Sequence, residues 1–326
     1  MTVARVQELS FEVDARDVVF WDDNTLLLTT PSAEVWRVVV APTPGKAESS
    51  VAASRVLGPV AQALGQAAVK PARGGYPRLA ASARAGAVVV NTHDLVLVAC
   101  PLRGGDGARL LSFGWGQYYP RLAFSRDGSR FSACADHLLV FDTGSWEGRA
   151  RDAPEVCAWH PREPLLLGLH AYTGQLGWTD WRDGANPTLR PVGTLDASGG
   201  RIEPAGVVVD AAGERCVTAY RHPDRLEWWQ LDPLRLIDSR PVGEGEVFDL
   251  RSGPGAGLFA VESAAGVQLW DFDTREPLSG VIAGASGAQF SPSGLRFVTR
   301  SRAPTNPYPI QPGGANRAVT LWKVAA

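Results

Sequence analysis

Residues 122–142 read LAFSRDGSRFSACADHLLVFD and predict three short strands joined by two tight turns. An apolar run ends at Phe124, a polar turn follows, a second strand starts at Phe131, and a third strand closes at Phe141 and Asp142. Short apolar segments separated by Ser, Asp and Gly are typical of antiparallel strands rather than helices. The stretch therefore predicts one structural unit, and its copies elsewhere decide the fold.

The same pattern recurs towards the end of the sequence as AQFSPSGLRFVTR (288–300). In both copies the second aromatic residue follows the first by seven positions, and both turns keep Ser-x-x-Gly. The phrase YPRLA also occurs twice, at 76–80 and 119–123, and opens two successive units in the same way. Such repetition indicates a repeated building block.

Seven segments fit this register, each with an anchor residue on its first strand and a bulky residue on its third. The anchors are Phe20, Ala81, Phe124, Trp159, Val209, Leu250 and Phe290. The third-strand residues are Trp36, Val98, Phe141, Trp178, Trp229, Trp270 and Trp322. A weaker fourth strand is predicted in the linkers, as in ARLLSFG (108–114), TLRPVG (188–193) and LRLIDSRPV (234–242). The Ser-rich stretch ESSVAAS (48–54) is interpreted as a linker.

Four-stranded units of this kind bury their faces by packing side by side, and a closed arrangement leaves no long open edge. The seventh unit lacks a fourth strand, because only KVAA follows Trp322, but VARVQELSF (3–11) precedes the first anchor. We therefore expect an all-β, seven-bladed β-propeller in which the N-terminal strand completes the last blade. Residues 1–326 are expected to form one domain.

The composition supports this fold class and argues against several functions. Gly (35) and Pro (24) punctuate the whole sequence, and no long window keeps a helical period. The net charge is −2 without blocks of like charge, so we expect neither a nucleic acid nor a membrane surface as the partner. The start, MTVARVQELSFEVDARD, lacks the apolar core of a secretory signal, which favours the cytoplasm. Only three Lys and abundant Ala, Gly and Val suggest a GC-rich, bacterial genome.

The sequence resembles the WD-repeat family, on the segments FSRDG (124–128), LLVFDTGS (138–145), VQLWDFDT (267–274), FSPSG (290–294) and VTLWKV (319–324). The resemblance spans essentially the whole chain but is clear only in blades 3, 6 and 7. No Gly-His pair precedes a first strand, and only blade 6 ends its third strand with a Trp-Asp pair, Trp270-Asp271. We therefore expect the structural hydrogen-bond network of a strong WD repeat to be mostly absent. The resemblance implies a module that binds proteins or peptides through loops on one face.

Several motifs that look catalytic have simpler interpretations. VFDTGSW (140–146) contains the Asp-Thr-Gly-Ser of an aspartic protease half-site, but the second aspartate is missing, and a turn is favoured. The five histidines lack metal-ligand spacing. GPGAG (253–257) and RGGDG (103–107) open no helix and are interpreted as turns. The four cysteines lie far apart within apolar stretches, as buried thiols do. We expect no cofactor and no metal site.

Candidate partner-binding residues come from the irregular loops, where aromatic and arginine side chains make strong contacts. FGWGQYYPR (113–121) places three aromatic rings and an arginine before blade 3, RHPDR (221–225) adds a second loop, and APTNPYPIQPGGAN (303–316) is an insertion in blade 7. The packing of these rings between neighbouring blades is an equally simple interpretation. The candidates are Trp115, Tyr118, Tyr119, Arg121, Arg221, His222, Tyr308, Lys70 and Arg73.

Three functions remain open at this point. The favoured one is a non-catalytic interaction module or scaffold subunit that binds a protein or peptide, in a larger complex. The second is a propeller enzyme of hydrolase or lactonase type with Asp94, Glu262 or His170 at the central channel. The third is a glycan- or small-molecule-binding propeller that uses the loop aromatics.

Overall fold

The fold is a seven-bladed β-propeller, as the repeat predicts. The computed structural model describes residues 2–10, 15–30, 34–41, 50–57, 78–91, 97–102, 108–112, 121–134, 137–152, 154, 156–170, 173–182, 187–195, 203–221, 224–243, 245–254, 257–301 and 318–325. These residues form seven antiparallel sheets of four strands each, numbered here as blades 1 to 7. Two compact units are present: unit 1 comprises Met1–Leu122 and Gly284–Ala326, and unit 2 comprises Ala123–Ala283. A single domain over residues 1–326 stays a prediction.

Unit 1 contains blades 1, 2 and 7. Blade 1 consists of β2 (Asp17–Asp22), β3 (Thr25–Thr29), β4 (Val35–Ala41) and β5 (Ser50–Leu57). Blade 2 consists of β6 (Arg78–Ser82), β7 (Ala87–Asn91), β8 (Leu97–Pro101) and β9 (Arg109–Ser112). Blade 7 consists of β26 (Ala285–Phe290), β27 (Arg296–Ser301), β28 (Ala318–Ala325) and, as its outer strand, β1 (Thr2–Ser10).

The N-terminal strand completes blade 7, which confirms the predicted closure. β1 runs antiparallel to β28, from Thr2 opposite Ala325 to Ser10 opposite Ala318. The register shifts once on the way. Leu9 is 1% exposed and packs in the same cluster as Val319 and Leu321. Main-chain pairing and apolar burial therefore both hold the two ends of the sequence in one sheet.

Blade 3 starts at the boundary between the units, and blades 4 to 6 lie within unit 2. Blade 3 consists of β10 (Arg121–Phe124), β11 (Arg130–Cys134), β12 (His137–Asp142) and β13 (Gly148–Asp152). Blade 4 consists of β14 (Val156–Trp159), β15 (Leu165–Leu169), β16 (Gln175–Asp180) and β17 (Thr188–Thr194). Blade 5 consists of β18 (Pro204–Val209), β19 (Arg215–Tyr220), β20 (Arg225–Leu231) and β21 (Leu234–Pro241). Blade 6 consists of β22 (Val247–Ser252), β23 (Leu258–Ser263), β24 (Gly266–Asp271) and β25 (Ile282–Ala283).

The seven-residue spacing corresponds to direct cross-strand neighbours in four blades. These neighbours are Ala81 and Val88, Trp159 and Leu166, Val209 and Cys216, and Phe290 and Phe297. In blade 6 the predicted anchor is wrong: Leu250 lies opposite Val261, and Ser252 lies opposite Phe259. In blade 1 a register shift after Phe20 places that residue opposite Leu26. A polar anchor and a β-bulge thus hide the repeat in these two blades.

The outer strands confirm three of the predicted fourth strands and correct one linker. β9, β17 and β21 lie where the weak strand patterns predict them. The stretch 48–54 is not only a linker, because Ser50–Leu57 forms β5 and pairs with β4. Blade 6 has the shortest fourth strand of those described, and β25 pairs only with Gly266 and Val267.

The turns between first and second strands share one geometry in several blades. In blade 3, Ser125 Oγ accepts the Arg130 amide at 2.9 Å and donates to Asp127 at 2.6 Å. In blade 7, Ser291 Oγ accepts the amide of Arg296 at 3.3 Å. Gly128 and Gly294 close these turns with positive φ angles of 75° and 74°. The Ser-x-x-Gly pattern is therefore a turn signature.

Arginines beside two of these turns connect a blade to the next one. Arg215 in blade 5 donates to Asp210 at 2.8 Å and to Asp273 of blade 6 at 2.6 Å. Arg296 in blade 7 donates to Asn24 of blade 1 at 3.0 Å. These two side chains therefore serve blade-to-blade contacts.

The Asp-Thr-Gly-Ser motif forms a turn between the third and fourth strands, as predicted. Asp142 Oδ1 accepts the amides of Gly144 and Ser145, both at 2.9 Å. In blade 6, Asp271 Oδ1 accepts the amides of Asp273 at 2.9 Å and Thr274 at 2.7 Å. These carboxylates organise their own turns, which is a structural role.

Blades 5 and 7 share a hydrogen bond between a tryptophan and a threonine. Trp322 Nε1 donates to Thr299 Oγ1 at 2.9 Å, and Trp229 Nε1 donates to Thr218 Oγ1 at 3.2 Å. In both cases the tryptophan lies on the third strand and the threonine on the second. The bond therefore links the same two strands in both blades.

The four cysteines are free, and three of them are buried. Burial raises the pKa of the Cys100 thiol to about 12. A thiol held in its neutral form is a poor nucleophile and metal ligand. The cysteines therefore behave as small core residues, as predicted.

Candidate functional site

The start of the first strand, the end of the second and the start of the third lie at the same end of each antiparallel blade, here called the loop end. The opposite end carries the turns described above. The loop end is where the sequence places its longest connections. The charged and polar side chains on the strands that reach it are therefore the candidates for a binding site.

Two of the nine predicted site residues are on the described parts of the chain, and both lie at the loop end. Arg121 is the first residue of β10 and is half-buried, whereas Arg221 directly follows β19 and is exposed. The other seven lie outside the described residues: Lys70, Arg73, Trp115, Tyr118, Tyr119, His222 and Tyr308. Their grouping stays a prediction.

In unit 2, Arg221 lies beside two glutamates that precede first strands. Its amide donates to the Glu203 carbonyl at 3.0 Å, which fixes the backbone at the end of β19. Its Nε lies 3.9 Å from Glu246 Oε1 in the next blade, and the two side chains are 44% and 28% exposed. An ion pair of this length at the surface contributes little stability. Arg221 therefore keeps donors that a partner can reach.

In unit 1, arginines lie at the starts of first strands. Arg16 directly precedes β2, and Arg78 and Arg121 begin β6 and β10. Carboxylates lie at the same end: Asp17, which is 5% exposed, begins β2, and Glu34 directly precedes β4. The loop end of unit 1 therefore carries charged side chains of both signs.

Asp17 links the first strands of blades 1 and 2. Its Oδ1 accepts the Val18 amide at 3.1 Å, and its Oδ2 accepts the Leu79 amide at 2.9 Å. The second bond joins two blades that are 62 residues apart in sequence. Each oxygen keeps a further acceptor position, and the carboxylate keeps its negative charge for the arginines of this end.

Arg300, from the end of the second strand of blade 7, reaches the same place. Its Nη1 donates to the Arg16 carbonyl oxygen and lies 3.9 Å from Asp17 Oδ1, which is beyond hydrogen-bond distance. The Arg300 side chain is 12% exposed. It occupies space above Gly287, where any Cβ would overlap the guanidinium group and where φ is +63°. The backbone conformation at 287 therefore favours glycine, and a larger residue would also have to displace the Arg300 guanidinium group.

Three polar atoms at the ends of second strands are buried without a hydrogen-bond partner. They are Thr29 Oγ1 in blade 1, Asn91 Oδ1 in blade 2 and Arg300 Nε in blade 7. Thr29 is fully buried and Asn91 is 2% exposed. Leaving such a group unsatisfied costs about 1–3 kcal/mol, so these sites need an explanation. All three atoms lie at the loop end of blades of unit 1, which makes that end the strongest candidate site.

The residues considered for an enzyme are less well grouped. Glu262 is 5% exposed on β23 and lies opposite Asp249, while His170 is half-buried after β15 of another blade. Asp94 lies outside the described residues. Within the described ranges, no three His, Cys, Asp or Glu side chains are grouped as a metal site requires.

The sequence did not single out Arg16, Asp17, Thr29, Asn91 or Arg300. Each is an ordinary strand residue, and they come together only when three blades pack. The one signal present in the sequence is the arginine at the start of successive first strands, visible in YPRLA (76–80 and 119–123). By itself the repeated phrase indicates only that two successive units begin in the same register.

No protein-family model and no curated protein matches the sequence. In the parts of the chain that the structure describes, no helix is long and apolar enough to cross a membrane.

Proposed function

We propose that this β-propeller is a non-catalytic interaction module, a scaffold or subunit of a larger complex, that binds a protein or peptide through the loop end of its blades. One contrast supports the proposal. The turn-end arginines Arg215 and Arg296 are used in bonds between blades, whereas Arg221 at the loop end is exposed and its ion pair with Glu246 is long and weak. Exposed arginines on rigid strands are favoured contacts in protein interfaces.

Binding would need little rearrangement of this surface. Main-chain bonds, such as the one from Arg221 to Glu203, already fix the positions from which the side chains project. A surface ordered before binding loses less conformational entropy when a partner arrives. The aromatic loop residues Trp115, Tyr118 and Tyr119 are proposed to add apolar contacts with the partner.

The test is affinity capture with tagged full-length protein, followed by identification of bound proteins. The variant pair Arg121→Ala and Arg221→Ala is compared with Arg149→Ala, which removes an exposed arginine from the outer strand β13. We expect the two loop-end variants to lose a partner that Arg149→Ala retains. A deletion of 303–316 serves as a third arm. An identical set of partners for all variants would show that this surface is not the interface.

The finer identity of the chain belongs to the same proposal. We place it with degenerate WD-repeat proteins, supported by the Trp–Thr hydrogen bonds of blades 5 and 7. Four free cysteines accord with a reducing, cytoplasmic location, and the Arg-rich, Lys-poor composition with a bacterial source. Cell fractionation followed by detection of the protein tests the location.

A further inference from the structure

We propose that Cys134 and Cys157 form a redox-active thiol pair, which a hydroperoxide oxidises to a disulfide between blades 3 and 4. The inference goes beyond the proposed function, because it assigns a covalent modification to the junction of two blades. Both residues belong to unit 2, and the test needs no binding partner.

A hydrogen bond between blades 3 and 4 fixes which side chains share their junction. Trp159 Nε1, on the first strand of blade 4, donates to Ser132 Oγ on the second strand of blade 3 at 3.0 Å. Side chains two positions apart on a strand point to the same face of the sheet. Cys134 therefore lies on the same face as Ser132, and Cys157 lies on the same face as Trp159.

The two cysteines also lie on the same side of this hydrogen bond. β11 runs towards the loop end and finishes at Cys134, whereas β14 starts at the loop end and runs away from it. Cys134 is thus two residues nearer to the loop end than Ser132, and Cys157 is two residues nearer to it than Trp159. Cys134 is part of the apolar cluster against which Cys157 and Trp159 pack. The two thiols therefore face each other across the junction.

Pro154, which lies just before β14, connects the surroundings of the two thiols. The Cys134 thiol donates to the Pro154 carbonyl oxygen, with Sγ at 3.1 Å from that atom. The Pro154 ring packs on Gly168, where an added Cβ would lie 2.8 Å from Cγ of the proline. Gly168 is the direct cross-strand neighbour of Cys157. A continuous row of contacts therefore runs from Cys134 through Pro154 and Gly168 to Cys157.

The two thiols differ in their access to solvent. Cys157 is half-buried, whereas Cys134 is 3% exposed. A cysteine that an oxidant can reach, next to a second cysteine that can react with the oxidised form, is the usual arrangement of a redox-responsive pair. Cys100 and Cys216 are buried in other blades. Cys157 is therefore assigned as the thiol that is oxidised first, and Cys134 as the thiol that resolves it.

The reaction consumes one hydroperoxide for each disulfide. The Cys157 thiolate attacks one oxygen of the hydroperoxide, the O–O bond breaks, and the thiol proton leaves with the other oxygen as an alcohol, or as water from hydrogen peroxide. Cys134 then attacks the sulfur of the Cys157 sulfenic acid. The S–S bond forms, the S–O bond breaks, and the Cys134 proton leaves with the hydroxyl group as water. The two thiols lose two electrons in total, and the hydroperoxide gains them.

The experiment treats the reduced full-length protein with one equivalent of hydrogen peroxide. The remaining thiols are then alkylated in denaturant, and the protein is digested and analysed by mass spectrometry without reduction. We expect the loss of two thiols and a linked pair of peptides that contain Cys134 and Cys157, both reversed by dithiothreitol. The unfolding equilibrium constant of the oxidised protein should be about 100-fold smaller than that of the reduced protein, because the bond restricts the unfolded chain.

Two variants separate the roles of the thiols. Cys134→Ala should leave a Cys157 sulfenic acid that dimedone traps, whereas Cys157→Ser should give neither the linked peptides nor a sulfenic acid at Cys134. Cys100→Ala is the matched control, a buried cysteine of blade 2, and should form the disulfide as the wild type does.

Three outcomes would overturn the proposal. The first is a wild type that keeps all its thiols after treatment with peroxide. The second is oxidation of Cys157 to the sulfinic acid without linked peptides. The third is a disulfide that forms equally well in Cys134→Ala, since another cysteine would then be the resolving thiol.

Discussion

The turn between the first and second strands is stabilised by a different side chain in different blades. Ser125, His160, Asp210 and Ser291 each accept main-chain amides at the turn after the first strand. His160 uses Nδ1, which accepts the amides of Arg162 and Glu163 at 3.1 and 3.0 Å. The imidazole is 7% exposed and packs against Gly213, where any Cβ would overlap it. This histidine is therefore needed in its neutral form.

We predict that His160 makes the protein less stable in mild acid. Burial lowers the pKa of His160 below its ordinary value of 6.5, and Glu163 and Asp210 oppose this shift only in part. The unfolded chain therefore binds the proton more readily than the folded one. The stabilisation is complete above pH 6.5 and is lost as the pH falls from there through the folded pKa. Urea unfolding at several pH values should show this loss in the wild type and a smaller one in His160→Asn.

Arg275 holds a backbone conformation that suits asparagine or glycine better. Its φ is +61°, and Trp146 in the equivalent turn of blade 3 has +59°. We predict that Arg275→Asn raises the free energy of unfolding by about 0.5–1 kcal/mol, since asparagine tolerates this region and the ion pair to Asp238 at 3.7 Å is weak. Thr274→Asn, one residue earlier, should have no such effect. A loss of stability in Arg275→Asn would show that the positive φ at this position is not strained for arginine.

At the scale of the element, the junction of blades 5 and 6 depends on a partly buried arginine. Arg215 joins Asp210, whose side chain is 4% exposed, to Asp273. We predict that Arg215→Met lowers the free energy of unfolding by about 2 kcal/mol, because the buried carboxylate loses its cation. Arg240→Met, which removes the more exposed pairs with Asp238 and Glu276 at the same junction, should cost much less. Equal losses in chemical denaturation would refute the role of burial.

Strands could be predicted where the repeat requires large apolar side chains. Strands that are held mainly by main-chain pairing leave no such pattern in the sequence. Phe290 and Phe297 indicate a strand pair because their rings pack against each other across the two strands, and Phe297 is fully buried. β5 was missed because an outer strand pairs along one edge only and needs few large apolar residues. Ser252 shows the same limit, since a serine at an anchor position carries no apolar signal.

For the molecule as a whole, blade 7 depends on pairing between the two ends of the sequence. We predict that Leu9→Ala lowers the free energy of unfolding by about 3 kcal/mol, because Leu9 is buried against Val319 and Leu321. Val6→Ala on the same strand, where the side chain is 46% exposed, should cost little. Guanidinium unfolding curves of both variants measure the difference, and similar losses would mean that β1 contributes through its main chain alone.

The number of blades and their closure could be read from the sequence, but the candidate site could not. A sequence repeat indicates which residues pair within one blade, and these residues are near one another in the chain. Arg300 and Arg16 are 284 residues apart, and their contact depends on the packing of blade 7 against blade 1. The repeated arginine in YPRLA was visible, yet its meaning depends on neighbours that no local pattern contains.

The closure of blade 7 also sets the order of events during synthesis. β1 precedes the other described strands in the sequence, and its partner β28 follows them. At ribosomal rates of about 5–20 residues per second, β1 waits on the order of tens of seconds for β28. Over that interval Leu9 has no Val319 or Leu321 to pack against, although the strands between are already made. Until β28 is made, β1 is therefore open to chaperones and proteases.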